Sequence, residues 1–362
     1  SMKRITIISE NFAEPWDEGI KKFAWSVGCA LGREHEVQLL NVDRDGLSGG
    51  GGDAADQSPM GTGNRGGSLP LKVPGTRTFA THVLREKLKA FSPAIVLYVP
   101  SPSSTLGSFL RAYSLRRHAP QAIHGMVALI PRRHGRAARP ILRRTAPDVV
   151  FVPSYRSLLY LHRVSLRADI TPVGVDTTVF RPPSSEERDS LREKYDLRQN
   201  AYVYLHVGHL SEKRNLTSLI QLKQSSEAEV IVVGSTSTPE DESLRRRLES
   251  AGVRVVRRRV PIEEYYRLCD CYVFPVEDYE GCVEIPLSVF EALASGRPVL
   301  SKPFGGLRDF LQPGRDLAYF ESDEELLEAA AGLRAGGAAP VRSMEEFSWE
   351  KVAARILKTL DQ

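Results

Sequence analysis

The chain has 362 residues, 41% of them hydrophobic, and a formal net charge of +4; a chain of this size buries two ordinary cores more readily than one, so two domains are expected. Its four cysteines, Cys29, Cys269, Cys271 and Cys282, are too few and too oddly spaced for a disulfide framework, and its apolar runs, such as residues 94–99 and 149–152, are strand-length and too short to span a bilayer. No signal-like segment precedes the first apolar run, which points to a reducing, cytoplasmic protein, soluble or at most bound to a membrane surface.

In chain order, residues 5–8 read as a strand, followed by helical spacing near 20–31, a strand at 36–40, helical spacing near 79–90, and strands at 95–99, 122–130 and 149–152. This alternation predicts an α/β fold with parallel strands. Within it, residues 46–67 carry nine glycines in 22 positions and almost no apolar side chains, so a mobile loop is expected. The stretch lacks the GxxxxGK[ST] order of a phosphate-binding loop. Residues 170–183, ITPVGVDTTVFRPP, read as an ordered turn and crossover. The alternation resumes at 202–207 (strand), 216–224 (helix), 229–233 (strand), 240–251 (helix), 253–256 and 271–274 (strands) and 299–300 (strand). Trp349, Val352, Ile356 and Leu360 then recur at helical spacing and mark an amphipathic terminal helix.

Charge is split along the chain. Residues 1–178 carry +10 and the remainder −6, and between Arg111 and Arg167 twelve arginines face a single acid, Asp148. That bias suits an anionic partner such as a phosphate-bearing acceptor or a lipid headgroup surface, or else a solvated basic face. Aromatic residues are not interleaved with these arginines as stacking on nucleic acid requires, so no nucleic-acid partner is expected.

The densest chemistry lies in residues 280–300, EGCVEIPLSVFEALASGRPVL, where a strand runs into a polar loop and then a helix. Glu284 falls in the loop and Glu291 on the helix, where a carboxylate can accept bonds from sugar hydroxyls while backbone N–H groups face phosphate. Further upstream, VGHLSEKRNL follows a strand with Gly208, which allows close backbone approach, and then Lys213 and Arg214. Departure of a nucleoside diphosphate leaves negative charge that fixed cations stabilise, so these two are candidate catalytic groups.

The block at 280–300 resembles the signature of retaining GT-B glycosyltransferases of the group 1 type, which read EGFGL and then EAMA-x-GxPVV. Residues 171–183 (TPVGVDTTVFRPP), 207–220 (VGHLSEKRNLTSLI), 229–235 (EVIVVGS), 253–275 and 296–311 come in the order such proteins show, so the resemblance reaches most of the chain. It implies two Rossmann-like doubly wound domains facing across a cleft: an acceptor-binding domain at 1–178, a nucleotide-sugar domain at 179–346, and a terminal helix at 347–362 crossing back to the first domain. It further implies that Glu291 accepts the ribose hydroxyls, and that either Glu280 or Glu284 is the first acid of the signature. Backbone donors at Gly281, Cys282 and Val283 would face sugar or phosphate. His209 and Arg214 stand where the family places its diphosphate-clasping arginine and lysine. Gly19 matches the glycine of the loop after the first strand, and Arg259 and Val260 lie in the loop expected near the base. The family's histidine beyond the fourth strand corresponds to His124 or to His134, depending on where that strand ends, with the pattern favouring the longer strand and His134.

Rival motifs are poor. Asp43-Arg44-Asp45 imitates a metal-binding DxD but closes a strand, and Cys269-Asp270-Cys271 lacks a second ligand pair, so no metal and no cofactor are expected. No GxGxxG follows the first strand, and no GxSxG elbow is present. The expected function is metal-independent, retaining transfer of a hexosyl unit from a UDP- or GDP-sugar to a hydroxyl of a small molecule, glycan or lipid-linked glycan, with peripheral contact of the basic domain at the inner membrane surface. A catalytically inactive binding protein, or a nucleotide-sugar hydrolase or epimerase on the same fold, is the alternative.

Overall fold

The computed structural model describes residues 1–14, 16, 18–43, 69–234, 241–257, 260–279, 282–337 and 340–362. The glycine-rich stretch 46–67 and the candidate residues Arg259, Glu280 and Gly281 lie outside these. The chain divides into two compact units, Ser1–Val173 with Gly281–Ile285 and Trp349–Gln362, and Gly174–Glu280 with Pro286–Ser348.

The first unit begins with β1 (Arg4–Ser9), α1 (Gly19–Leu31), β2 (Glu36–Asp43), β3 (Leu71–Pro74), α2 (His82–Phe91), β4 (Ile95–Val99) and α3 (Leu106–His118). It continues with β5 (Ile123–Val127), α4 (Arg139–Thr145), β6 (Val149–Val152), α5 (Tyr155–Arg163) and β7 (Ala168–Ile170). All pairings are parallel, in the order β3-β2-β1-β4-β5-β6-β7. Strands such as β4 and β6 are buried along their whole length because helices cover both faces of a parallel sheet, which is why they read as unbroken apolar runs. α1 lies close on the sheet at Gly28, where a Cβ would come within 2.8 Å of Leu39 Cδ2.

The second unit holds α6 (Ser185–Lys194), β8 (Val203–Gly208), α7 (Thr217–Ser225), β9 (Glu229–Gly234), α8 (Glu242–Ser250), β10 (Arg254–Val256) and α9 (Ile262–Leu268). β11 (Cys271–Phe274), α10 (Leu287–Ala294), β12 (Val299–Ser301), α11 (Leu307–Phe310), β13 (Leu317–Tyr319) and α12 (Asp323–Ala335) complete it. Its sheet order is β10-β9-β8-β11-β12-β13, again parallel throughout. In each sheet the order reverses beside the first strand, between β1 and β4 and between β8 and β11. In sheets of this order, ligands generally bind outside the carboxyl ends of the strands at such a reversal.

The chain ends in α13 (Trp349–Leu360), which belongs to the first unit and buries Trp349, Val352, Ala353, Ile356 and Leu360. Trp349 meets Phe23 of α1 edge to face at 5.6 Å.

The pattern-based strand at 122–130 is shorter than its apolar run. β5 stops at Val127, and beyond it the Ile130 carbonyl accepts from the Ser104 N–H at 3.0 Å. The short elements β3, β7, β13 and α6 were not legible in the apolar pattern. β3 and β7 are half-buried edge strands, and α6 is strongly charged. Among the described residues no helix is long and apolar enough to cross a membrane.

Candidate functional site

The reversal point of the second sheet brings together five of the expected groups, Gly208, His209, Lys213, Arg214 and Glu291. β8 ends at Gly208, and His209, Leu210 and Ser211 lead into a 3-10 turn at Glu212–Arg214. Ser211 caps that turn by accepting from the Lys213 N–H at 3.4 Å. Lys213 and Arg214 therefore sit on the turn rather than on the first turn of α7, where cations would oppose the helix dipole. Asn215 closes the turn in the left-handed region, at φ 52°, and its side-chain amide donates to the Pro275 carbonyl at 3.2 Å. The loop after β8 is thereby tied to the loop after β11, across the reversal point.

Beneath the turn lies His206. Its ring is 1% exposed, its Nδ1 donates to the Val273 carbonyl at 2.8 Å, and its Nε2 has no partner among the described residues. Burial pushes its pKa down to about 4, with the Arg214 and His209 charges adding to the effect. The ring stacks on Tyr272 at 6.2 Å. The Glu291 carboxylate and burial together raise the Tyr272 phenol, burial being the larger influence. Glu291 itself is 5% exposed on α10 and accepts from the Tyr266 hydroxyl at 3.1 Å. His209, Arg214, His206, Tyr272 and Glu291 thus form one continuous neighbourhood within the second unit. Val260 lies beyond β10, immediately ahead of Pro261, the residue that caps α9.

Other candidates lie in the first unit. Cys282, Val283 and Glu284 belong to it, and the Glu284 N–H donates to the Leu129 carbonyl at 3.1 Å. Its carboxylate accepts from Ser154 Oγ at 2.7 Å and from Ser157 Oγ at 2.8 Å, at the start of α5. Burial raises the Glu284 pKa above the usual carboxylate value, opposed by the two serine hydroxyls and by the charges of Arg156 and Arg133. Glu284 therefore braces α5 in this structure, and not the start of α10 after Pro286. Gly19 is the first residue of α1 and follows the β1 loop, in which Asn11 is left-handed at φ 55°.

The two histidines part company. His124 is the second residue of β5, at the amino end of the strand, buried and hydrogen-bonded through Nε2 to the Ala119 carbonyl at 2.8 Å. That corrects its candidacy as a reacting-centre group, since ligands approach such sheets from the carboxyl ends. His134 lies beyond that carboxyl end, its N–H donating to the Tyr160 hydroxyl at 2.8 Å, its ring edge-on to Phe109 and its Nε2 without a partner among the described residues. Burial and the neighbouring Arg132 both lower its pKa.

One cluster escaped the motif reading. At the reversal point of the first sheet, Glu10 accepts from Tyr98 Oη at 2.8 Å and from the Ser101 N–H at 3.0 Å, and pairs with Arg111 Nε at 2.9 Å. Arg111 also donates to the Arg77 carbonyl at 3.3 Å, so one buried ion pair ties the loops after β1, β3 and β4. Its only sequence signal was an acid directly after the first apolar run.

Of the two metal-like motifs, Cys269-Asp270-Cys271 is otherwise engaged. Asp270 is held by Arg188 and Arg192 at 2.7 Å each, and burial pushes the Cys269 thiol up to about 12. Asp43 pairs with Lys72, while Arg44 and Asp45 lie outside the described residues. Among the described residues no cluster of three or more His, Cys, Asp or Glu is arranged to hold a metal ion.

Two doubly wound sheets of this order define a GT-B protein, and the whole chain shares that fold with known structures. Sucrose-phosphate synthase from Thermosynechococcus elongatus superposes with a TM-score of 0.73 at 16% identity, over 99% of this chain and 98% of that one. HepE from Anabaena, in complex with UDP-glucose, gives 0.70 at 15% identity, over 99% and 100%. Residues 201–335 match the family model "Glycosyl transferases group 1". A D-inositol 3-phosphate glycosyltransferase from Paenarthrobacter aurescens is 25% identical over 63% of this chain and 60% of its own length. A GDP-mannose-dependent α-mannosyltransferase from Mycolicibacterium smegmatis is 27% identical over 80% and 77%. The match thus spans only about three fifths of the inositol-phosphate enzyme's length.

Proposed function

We propose that the protein transfers a hexosyl unit from a UDP- or GDP-sugar to an acceptor hydroxyl, with retention of anomeric configuration and without a metal ion. The observation that carries this reading is the placement of Lys213 and Arg214 on a turn at the carboxyl end of β8, with the Arg214 charge felt by the buried His206, which stacks on Tyr272 beside the buried Glu291. The family-model match over residues 201–335, and relatives named as glycosyltransferases, support the same chemistry.

In this reading the second unit binds the donor. Glu291, oriented by Tyr266, accepts the two ribose hydroxyls, and Gly208 lets the backbone approach the diphosphate. Lys213 and Arg214, with His209, stabilise charge on the departing β-phosphate, a role that fixed cations fill without reorganisation during reaction. The leaving oxygen takes the acceptor hydroxyl proton as the new bond forms on the same face, so no separate protein base is required. The acceptor is a small molecule, a glycan or a lipid-linked glycan.

Incubation with UDP-, GDP- and ADP-sugars, with and without a hydroxyl acceptor, followed by NMR of the product's anomeric centre, tests the reading. Acceptor-dependent transfer with retained configuration supports it. Hydrolysis or epimerisation without acceptor would assign the fold to one of those reactions, and donor binding without turnover would make the protein a binding module.

A further inference from the structure

The arginine excess of the first unit is not spread evenly. It is concentrated on α4, α5 and the loop that precedes α4, where it surrounds exposed apolar side chains. Leu159 is 55% exposed, Tyr155 52% and Ile141 42%, values at odds with their apolar character. On α5 the buried residues Ser157 and Leu161 mark one face, and the 100° step per residue puts Tyr155 and Leu159 on the opposite one. Arg156 and Arg163 flank that outward face, and both are exposed. On α4, Leu142 and Thr145 are buried while Ile141, Arg143 and Arg144 are exposed.

The two helices act as one surface. Arg143 of α4 donates to the Val164 carbonyl at 3.0 Å and to Ser165 Oγ at 3.1 Å, at the carboxyl end of α5. Arg133, in the preceding loop, lies over the Tyr160 ring of α5 at 5.9 Å. Acids near this surface are already engaged. Asp148 accepts from the His124 N–H and pairs with Arg116, and Glu284 is held by Ser154 and Ser157.

We propose that this surface docks on an anionic lipid bilayer, with Ile141, Tyr155 and Leu159 seated at the headgroup boundary and the surrounding arginines paired with lipid phosphates. Charge decides the sign of the partner, since the two carboxylates near these arginines among the described residues, Asp148 and Glu284, are each already engaged, Glu284 by two serine hydroxyls as well as by the charges of Arg156 and Arg133. The apolar centre decides its class. A nucleic acid would contact the arginines but has no use for exposed Ile141 and Leu159, whereas an interfacial surface needs both components at once. The inference goes beyond the transfer reaction and stands without it, because docking requires neither donor nor turnover.

The test is sedimentation of the full chain with vesicles of phosphatidylcholine alone and with phosphatidylglycerol added, at low and at physiological salt. Binding to the anionic vesicles only is expected. The double variant Ile141→Ser, Leu159→Ser keeps every charge and should reduce partitioning at physiological salt by about fivefold or more, and Arg144→Glu, Arg163→Glu should abolish it. All four positions are exposed, and circular dichroism verifies folding. Protein that stays in the supernatant with anionic vesicles at low salt overturns the proposal. So does a serine double variant that sediments like the wild type, or release from vesicles by a duplex oligonucleotide with no contribution from Ile141 and Leu159, because charge alone would then explain the surface. Sedimentation failing while transfer persists removes the docking surface and leaves the enzymatic reading intact; the reverse outcome does the opposite.

Discussion

His206 lies directly under Gly208: a Cβ added at Gly208 would come within 3.0 Å of His206 Nε2. The two residues share one face of β8, and the imidazole cannot swing aside, because its Nδ1 is fastened to the Val273 carbonyl. Glycine at the end of this strand is therefore required by a buried neighbour as well as by the approach of a ligand. Gly208→Ala should lower unfolding free energy by about 1–3 kcal/mol, the usual consequence of overpacking, measured by urea denaturation. A variant as stable as the wild type would show that His206 yields.

The same imidazole makes the second unit sensitive to acid. With a folded pKa of about 4 against an ordinary 6.5, His206 stays neutral where the unfolded chain takes up a proton. Stability is thus lost as pH falls from 6.5 toward 4, by an amount on the order of 3 kcal/mol from this group. The unfolding free energy of His206→Phe should fall less steeply over that interval. Equal slopes for the two proteins would mean that the buried imidazole does take a proton.

Glu284 acts with the opposite sign. Its carboxyl has a raised pKa in the folded state, so its contribution to stability is fully present below the ordinary value of 4.5 and declines as pH rises through the folded value. Glu284→Gln removes the titration while keeping an acceptor for Ser154 and Ser157. The wild type should gain stability relative to this variant as pH is lowered toward 4.5 from neutrality. A difference that does not change with pH would contradict the raised pKa.

Arg214 bears most directly on turnover. Arg214→Ala should lower kcat by at least about tenfold at saturating donor, the ordinary consequence of deleting one electrostatic donor to developing charge. Its Tm should stay close to wild type, since the residue lies half-exposed on a capped turn. Unchanged kcat with a nucleotide sugar that is turned over would remove Arg214 from the mechanism.

The alternation of apolar runs and helical spacings was enough to read the α/β class and the repeat of the pattern after residue 200, because strands buried on both faces admit almost no polar residues. The candidacy of Lys213 and Arg214 was legible for a similar local reason, since a glycine and two cations follow one strand within a few positions, but their place on a 3-10 turn ahead of α7 was not. What the sequence could not convey is which carboxylates and histidines meet. Glu284 and Glu291 are seven residues apart, yet one braces α5 in the first unit and the other is buried beside Tyr266 in the second. His124 and His134 differ by ten positions, and only the strand's end point at Val127 puts one at its amino end and the other beyond its carboxyl end. The Glu10–Arg111 pair and the His206 nitrogen without a partner among the described residues arise where parallel strands from distant parts of the chain come side by side. Periodicity records whether a residue faces the core and is set by its near neighbours. Partnership between charged groups depends on strand order, which tertiary packing alone decides.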